Sequence, residues 1–266
     1  MCIGDFFIIS FLSTMDHIGH YEFLCEPFHC DFNQRLLPGH LGNHLLNAAD
    51  FHSNDRGFGM THLNAQHKTW VLSRLAVEID EMPRIYSRFF IDTWVETAMR
   101  FFTHRNFHLY DVVSNKTYGY GRSVWAMIDT GTRQPCNIFD INDGVIGQYV
   151  VTDKENPMTS FLRVKMGEQT EWLRTVDTTY NDVDINGHIN SLKYLDHILD
   201  LYTLDWYRAH PLRRFDIAYV AETHFGDQLV FYREQADPLT HHIRVCKREP
   251  QEETEVEVVR CQLKFL

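Results

Sequence analysis

Residues 181–200 read NDVDINGHINSLKYLDHILD, with Asp184, Asn186 and His188 at alternate positions just ahead of an amphipathic helical pattern. A carboxylate, an amide and an imidazole in that order are groups that can position a carbonyl and move protons near neutral pH. In extended backbone the three side chains share one side, and Ile185 and Gly187 face the other. Gly187 admits a turn or a close backbone approach. The helix then begins at Asn190 or Ser191, either of which can cap it. Open amides and the positive end of the helix dipole would sit beside the triplet, a setting that suits a polarised carbonyl oxygen. On spacing alone, the same string also reads as an Asx-rich helix cap.

The chain that must position these groups has 266 residues, 44% of them hydrophobic, enough for one large domain or two modest ones and too apolar for disorder. A formal net charge of −11 argues against a general nucleic-acid binder. Six cysteines without a CxxC pair point to reduced thiols in a cytoplasmic protein. The apolar run at residues 6–12 is too short to span a bilayer and lacks a basic leader and a cleavage site. Translation is expected to begin at Met15, and no other segment reads as a membrane span.

Alternation and β-branched or aromatic residues predict strands at 70–79, 88–96, 105–113 and 117–129, and again at 172–178, 215–221, 229–233, 242–247 and 254–265. Helical periodicity appears at 41–52 and 191–207. One helix per half, each followed by strands, gives an α+β class. PGHLGNHLLNAADF from Pro38 aligns on Gly-His with NGHINSLKYLDHIL from Asn186, an offset of 148 positions, which suggests a duplicated domain. In that register Leu36 and Pro38 replace Asp184 and Asn186, and only the histidine persists, as His40. A single active site in the second half is expected. The turn-rich residues 131–168 are expected to connect the halves.

TYNDVDINGHINSLKYLDHIL resembles the active-site segment of acyl-(acyl-carrier-protein) thioesterases, the plant fat-type family and its bacterial relatives. FDIAYVAETHFGDQLVF, from Phe215, resembles that family's next signature, with Glu222 at the catalytic glutamate and Thr223 where plant members carry cysteine. TWVLSRLAVEIDEMPRIYSRFFIDTWVE from Thr69 and YGYGRSVWAMIDTGTRQP from Tyr118 are similar to first-domain strands. The resemblance implies a tandem hotdog, each domain a long helix wrapped by an antiparallel sheet, with an N-terminal domain at 15–150 and a C-terminal domain at 151–266. It implies an acyl-chain pocket and a degenerate site in the first domain, and catalytic Asp184, Asn186, His188 and Glu222 in the second. The implied activity is release of free fatty acid from acyl carrier protein without a cofactor, in a cytoplasmic enzyme of bacterial type, with room for a homodimer.

Threonine at 223 cannot supply a thiolate, so the expected attacker is water. Glu222 would act as base, His188 would share protons with it and with the leaving thiol, Asn186 would position water or thioester, and Asp184 would hold Asn186 or His188. The alternatives are a hotdog hydro-lyase and a non-catalytic acyl-binding protein. Sixteen histidines invite a metal, but His40 and His44 lack completing ligands and His241 and His242 diverge, so none is expected. Arg100, Arg105, Lys116 and Arg122, or Arg208, Arg213 and Arg214, are candidates to dock an acidic carrier. Residues 41–52 and 69–96 would set chain length, with Met60, Trp70 and Phe89 either blocking the pocket or filling the core.

Overall fold

The computed structural model describes residues 16–167, 170–249 and 254–266, so the apolar run at 6–12 and the start expected at Met15 lie outside the described residues. Its strands are β1 (Gly19–Leu24), β2 (Lys68–Ile79), β3 (Arg88–Ala98), β4 (Phe102–Asp111), β5 (Thr117–Asp129), β6 (Glu171–Asp177), β7 (Leu212–Tyr219), β8 (Gln228–Asp237), β9 (Thr240–Arg248) and β10 (Glu255–Phe265). They form one sheet in the order β1-β3-β4-β5-β2-β7-β10-β9-β8-β6. The order mirrors itself about β2 and β7 when the second five strands are matched to the first five. The halves are joined by antiparallel pairing of β2 with β7, in which Arg74, Ala76 and Glu78 oppose Ala218, Asp216 and Arg214.

Alternate residues of the strands, such as Leu75, Val77 and Ile79, or Phe215 and Ile217, face a single core with the helices. α1 (Pro38–Asp55) lays Leu41, Leu45, Ala48, Ala49 and His52 into it, the face predicted from periodicity. α3 (Ser191–Leu199) contributes Leu192, Leu195 and Ile198. The two helices meet through glycine: a Cβ at Gly42 would stand 2.6 Å from a Leu192 methyl, so a side chain there forces Leu192 to repack.

The helix expected at 191–207 is two helices, because the chain breaks after Leu199 and restarts as α4 (Leu204–Ala209), capped by Thr203 accepting from the Trp206 amide. β1 was not anticipated. Its six residues pair along β3, and this long-range pairing outweighs weak local propensity. The 131–168 stretch is not simply a connection. Ile138, Ile141 and Ile146 pack back with Phe58 and Leu63 of the first half, the latter in α2 (Met60–Asn64). Only from about Val151 does the chain cross the far side of the sheet, where Lys154 reaches Asp92 at 2.8 Å and Arg214 donates to Ser160 O at 3.1 Å. Among the described residues no helix is long and apolar enough to cross a membrane.

Candidate active site

Residues 184–188 are not extended but form a tight turn. The Asp184 amide donates to His188 O at 2.8 Å and the Gly187 amide to Asp184 O at 3.0 Å. Gly187 has φ +79°, which glycine adopts without strain. The Asp184 carboxylate accepts from the backbone amides of Asn186 (2.8 Å) and His188 (3.3 Å), so it ties the turn together. Asn186 is exposed at the tip, and its side chain has no hydrogen bond among the described residues. The turn pairs with the loop after β7: Ile189 donates to Thr223 O at 3.0 Å, and His188 bridges to His224.

That pairing brings Glu222 to His188, with Nε2 of the imidazole 3.7 Å from Oε2 of the carboxylate. The other carboxylate oxygen, Oε1, accepts from Arg133, a residue of the turn after β5 in the first half to which the sequence assigns no role at the site. Thr223 is fully buried beside Tyr194, a phenol that burial raises to about 12, so its hydroxyl does not face the turn's surface. Helix α3 starts as predicted, capped by Asn190. Its cap occupies the Leu192 amide (2.8 Å) and the Lys193 amide (2.9 Å), so those two donors are not open to a carbonyl. Behind the turn, Asp182 is buried, and its Oδ1 meets His197 Nε2 at 2.8 Å. Burial alone would raise this carboxyl, but the Thr179 amide and His197 reverse that and hold it below the usual range.

The first half repeats this turn in a register that differs from the Gly-His alignment by five positions. Asp31 accepts from the amides of Asn33 (2.8 Å) and Arg35 (3.0 Å), as Asp184 does from Asn186 and His188. Leu36 donates to Pro83 O as Ile189 does to Thr223 O, and Gln34 takes the positive φ of Gly187. Asp31, Asn33, Arg35 and Met82 therefore correspond to Asp184, Asn186, His188 and Glu222. The first half has kept the Asp and Asn, contrary to the expectation from the Gly-His match, and lacks the His and Glu. Asp and Asn build the turn in both halves, while the imidazole and carboxylate at the His188 and Glu222 positions are replaced by Arg35 and Met82 in the first.

A cavity of about 360 Å³ lies in the first half, lined by Ala49, Ser53, Met60, Trp70, Arg105 and Trp125 among others, with Ile185 of the second-half turn on its wall. Phe89 is instead core. The equivalent place in the second half is filled. By sheet register His241 and Phe265 stand where Arg105 and Trp125 stand. Tyr202 and Trp206, at the helix positions of Ala49 and Ser53, pack on them with ring centroids 5.1–5.4 Å apart.

Arg105 is a wall of this cavity and not a docking residue. It is 4% exposed, donates to Thr93 Oγ1 at 3.1 Å and Ser53 Oγ at 2.8 Å, and burial lowers its pKa to about 9. Arg122, Arg213 and Arg214 are likewise engaged with Glu96, with Glu78 and Asp80, and with Glu78 and Asp216. Arg100, Lys116 and Arg208 remain at the surface, Lys116 paired with Glu81 and Arg208 with Asp205. Among the described residues no group of three or more His, Cys, Asp or Glu side chains is arranged to hold a metal.

Known proteins resemble this chain in sequence and fold over most of its length. The profile of the Acyl-ACP thioesterase N-terminal domain matches residues 20–144, and that of the C-terminal domain matches residues 167–263. The crystal structure of an acyl-ACP thioesterase from Bacteroides thetaiotaomicron VPI-5482 is 45% identical with a TM-score of 0.84, over 94% of this chain and 98% of that one. The 12:0-ACP thioesterase from Umbellularia californica, 18% identical, shares the fold with a TM-score of 0.78 over 94% of this chain and 97% of its own. Among curated proteins, the chloroplastic oleoyl-acyl carrier protein thioesterase of Coriandrum sativum is 22% identical over 231 residues, 80% of this chain and 62% of its own length. The chloroplastic palmitoyl-acyl carrier protein thioesterase of Arabidopsis thaliana is 26% identical over 189 residues, 68% of this chain and 46% of its own. The chain thus matches about half to two thirds of the length of these curated relatives.

Proposed function

The chain belongs to the acyl-ACP thioesterase family, and from that premise we propose that it hydrolyses fatty acyl-(acyl-carrier-protein) thioesters to free fatty acid and holo carrier protein. One observation carries the reading. The His188–Glu222 pair, absent from the first-half copy of the turn, sits three residues from Ile185, which lines an apolar-walled cavity of about 360 Å³.

Glu222 removes a proton from water, and the oxygen attacks the thioester carbonyl. Collapse of the tetrahedral intermediate breaks the C–S bond, and the proton taken up by Glu222 passes through His188 to the leaving sulfur. Asn186, with its side-chain amide free at the turn tip, donates to the carbonyl oxygen or to the water. Asp184 fixes the turn and so sets where His188 points. Residues 15–150 supply the acyl pocket and residues 151–266 the catalytic groups. Residues 41–52 and 69–96 line the chain's path. Carrier docking falls to Arg100, Lys116 and Arg208, the candidate cations that are exposed. The cytoplasmic setting and the place in fatty-acid metabolism belong to the same reading. The thiols of Cys25 and Cys30, free of disulfides and hydrogen-bonded to each other at 3.4 Å, suit that compartment.

The test is a series of saturated acyl carrier proteins assayed for free thiol and free acid. Thiol release that varies with chain length is the expected result. Tight binding without thiol release would favour an acyl-binding protein, and no thiol release from the saturated series beside hydration of a 2-enoyl carrier protein would favour a hydro-lyase.

A further inference from the structure

We propose that Arg133, from the first half, is a positioning residue for the carboxylate of Glu222, so that the catalytic pair is completed across the two halves. This rests on the assignment of Glu222 as the base. Glu222 leaves the backbone from an irregular loop, and among the described residues its side chain meets only Arg133 through Oε1 and His188, 3.7 Å away, through Oε2. Among the described residues no side chain other than Arg133 fixes which oxygen faces the imidazole. A charge-assisted hydrogen bond from the guanidinium to one carboxylate oxygen restricts the rotamers of the whole group.

The segment that presents Arg133 is firmly held. Asp129 Oδ1 accepts from the amides of Gly131 (3.0 Å) and Thr132 (2.7 Å), and the Arg133 amide returns to Asp129 O at 2.9 Å. Thr130 is anchored to His67 O at 2.9 Å. Arg133 itself has φ +59°, a conformation that costs energy in a non-glycine residue. The stability return is small, since Arg133 and Glu222 are 40% and 37% exposed, and ion pairs that open to water contribute little. What the contact does accomplish is to place a carboxylate, and misplacement of a catalytic group by about 1 Å can cost up to about a hundredfold in rate.

The experiment measures kcat and KM for acyl carrier protein substrate in wild type, Arg133→Ala, Arg133→Lys, Glu222→Gln and the double variant Arg133→Ala/Glu222→Gln, with thermal melts throughout. Arg133→Ala should lower kcat roughly tenfold to a hundredfold with KM and melting temperature nearly unchanged. Methylguanidinium added to Arg133→Ala should restore part of kcat, and Arg133→Lys should fall between. In the Glu222→Gln background, loss of Arg133 should cost nothing further. The proposal is overturned by a wild-type kcat in Arg133→Ala, by an effect confined to KM, or by additive losses in the double variant. If Arg133→Ala melts early, Arg133→Lys with the methylguanidinium response carries the same decision. Full activity in Glu222→Gln would instead defeat the underlying assignment of the base. An inert Glu222→Gln beside a normal Arg133→Ala defeats this inference alone.

Discussion

Replacing Ala49 by leucine tests whether the first-half cavity holds the acyl chain. Ala49 lines the cavity from the buried face of α1, and leucine is as good a helix former as the site requires. The change adds three carbons, which take the room of about three chain methylenes. Each methylene kept out of an apolar site costs about 0.8 kcal/mol, so about 2.4 kcal/mol is lost for chains that reach this depth. At about 1.4 kcal/mol per factor of ten, kcat/KM should fall about fiftyfold for the longest accepted chain and stay unchanged for chains too short to reach Ala49. The added carbons enter space that is already present, so the melting temperature should hold or rise, unlike an overpacked core. The second half has made a version of this change, with Tyr202 and Trp206 filling the equivalent place. A chain-length profile identical to that of wild type would refute the location of the pocket. A uniform loss at every length would point to general damage.

Other outcomes follow from the two turns and from a buried histidine. Asp31→Ala and Asp184→Ala each remove acceptors for two backbone amides and should each cost roughly 1–3 kcal/mol in urea melts; only Asp184→Ala should also lower kcat, because only its turn carries His188. His52 is wholly buried, and desolvation lowers its pKa to about 2, whereas in the unfolded chain it titrates near 6.5. Unfolded chains therefore take up a proton below about pH 6.5 that the native state refuses, and stability present above that pH is lost on acidification. The loss is about 1.4 kcal/mol per pH unit, or about 2 kcal/mol by pH 5. Denaturant melts of wild type against His52→Gln over this range check it, and parallel curves would refute the assignment.

Much of the fold could be read from periodicity, because alternate residues of each strand and one stripe of α1 do face the core. His188 is legible in the alternate spacing of Asp184, Asn186 and His188, and Glu222 only through the resemblance of FDIAYVAETHFGDQLVF to the family's strand signature. The internal repeat was aligned five positions out, because Gly39-His40 resembles Gly187-His188 by chance. The true equivalence lies in hydrogen bonds of Asp31 and Asp184 that a letter match cannot weigh. The break after Leu199 was hidden because Tyr202 and Trp206 continue the apolar stripe across it. Arg105 was taken for a surface cation since charge ordinarily stays in water, and its hydroxyl partners Ser53 and Thr93 are distant in sequence. Arg133 gave no signal either, because its contact with Glu222 spans the two halves.

The most direct test of the central claim, that the imidazole and carboxylate unique to the second-half turn drive hydrolysis, is single-turnover thiol release from acyl carrier protein by Glu222→Gln. Glutamine keeps the shape and removes the base. A rate at least about a hundredfold below wild type, with an unchanged melting temperature, is the predicted result. A rate near that of wild type would contradict it.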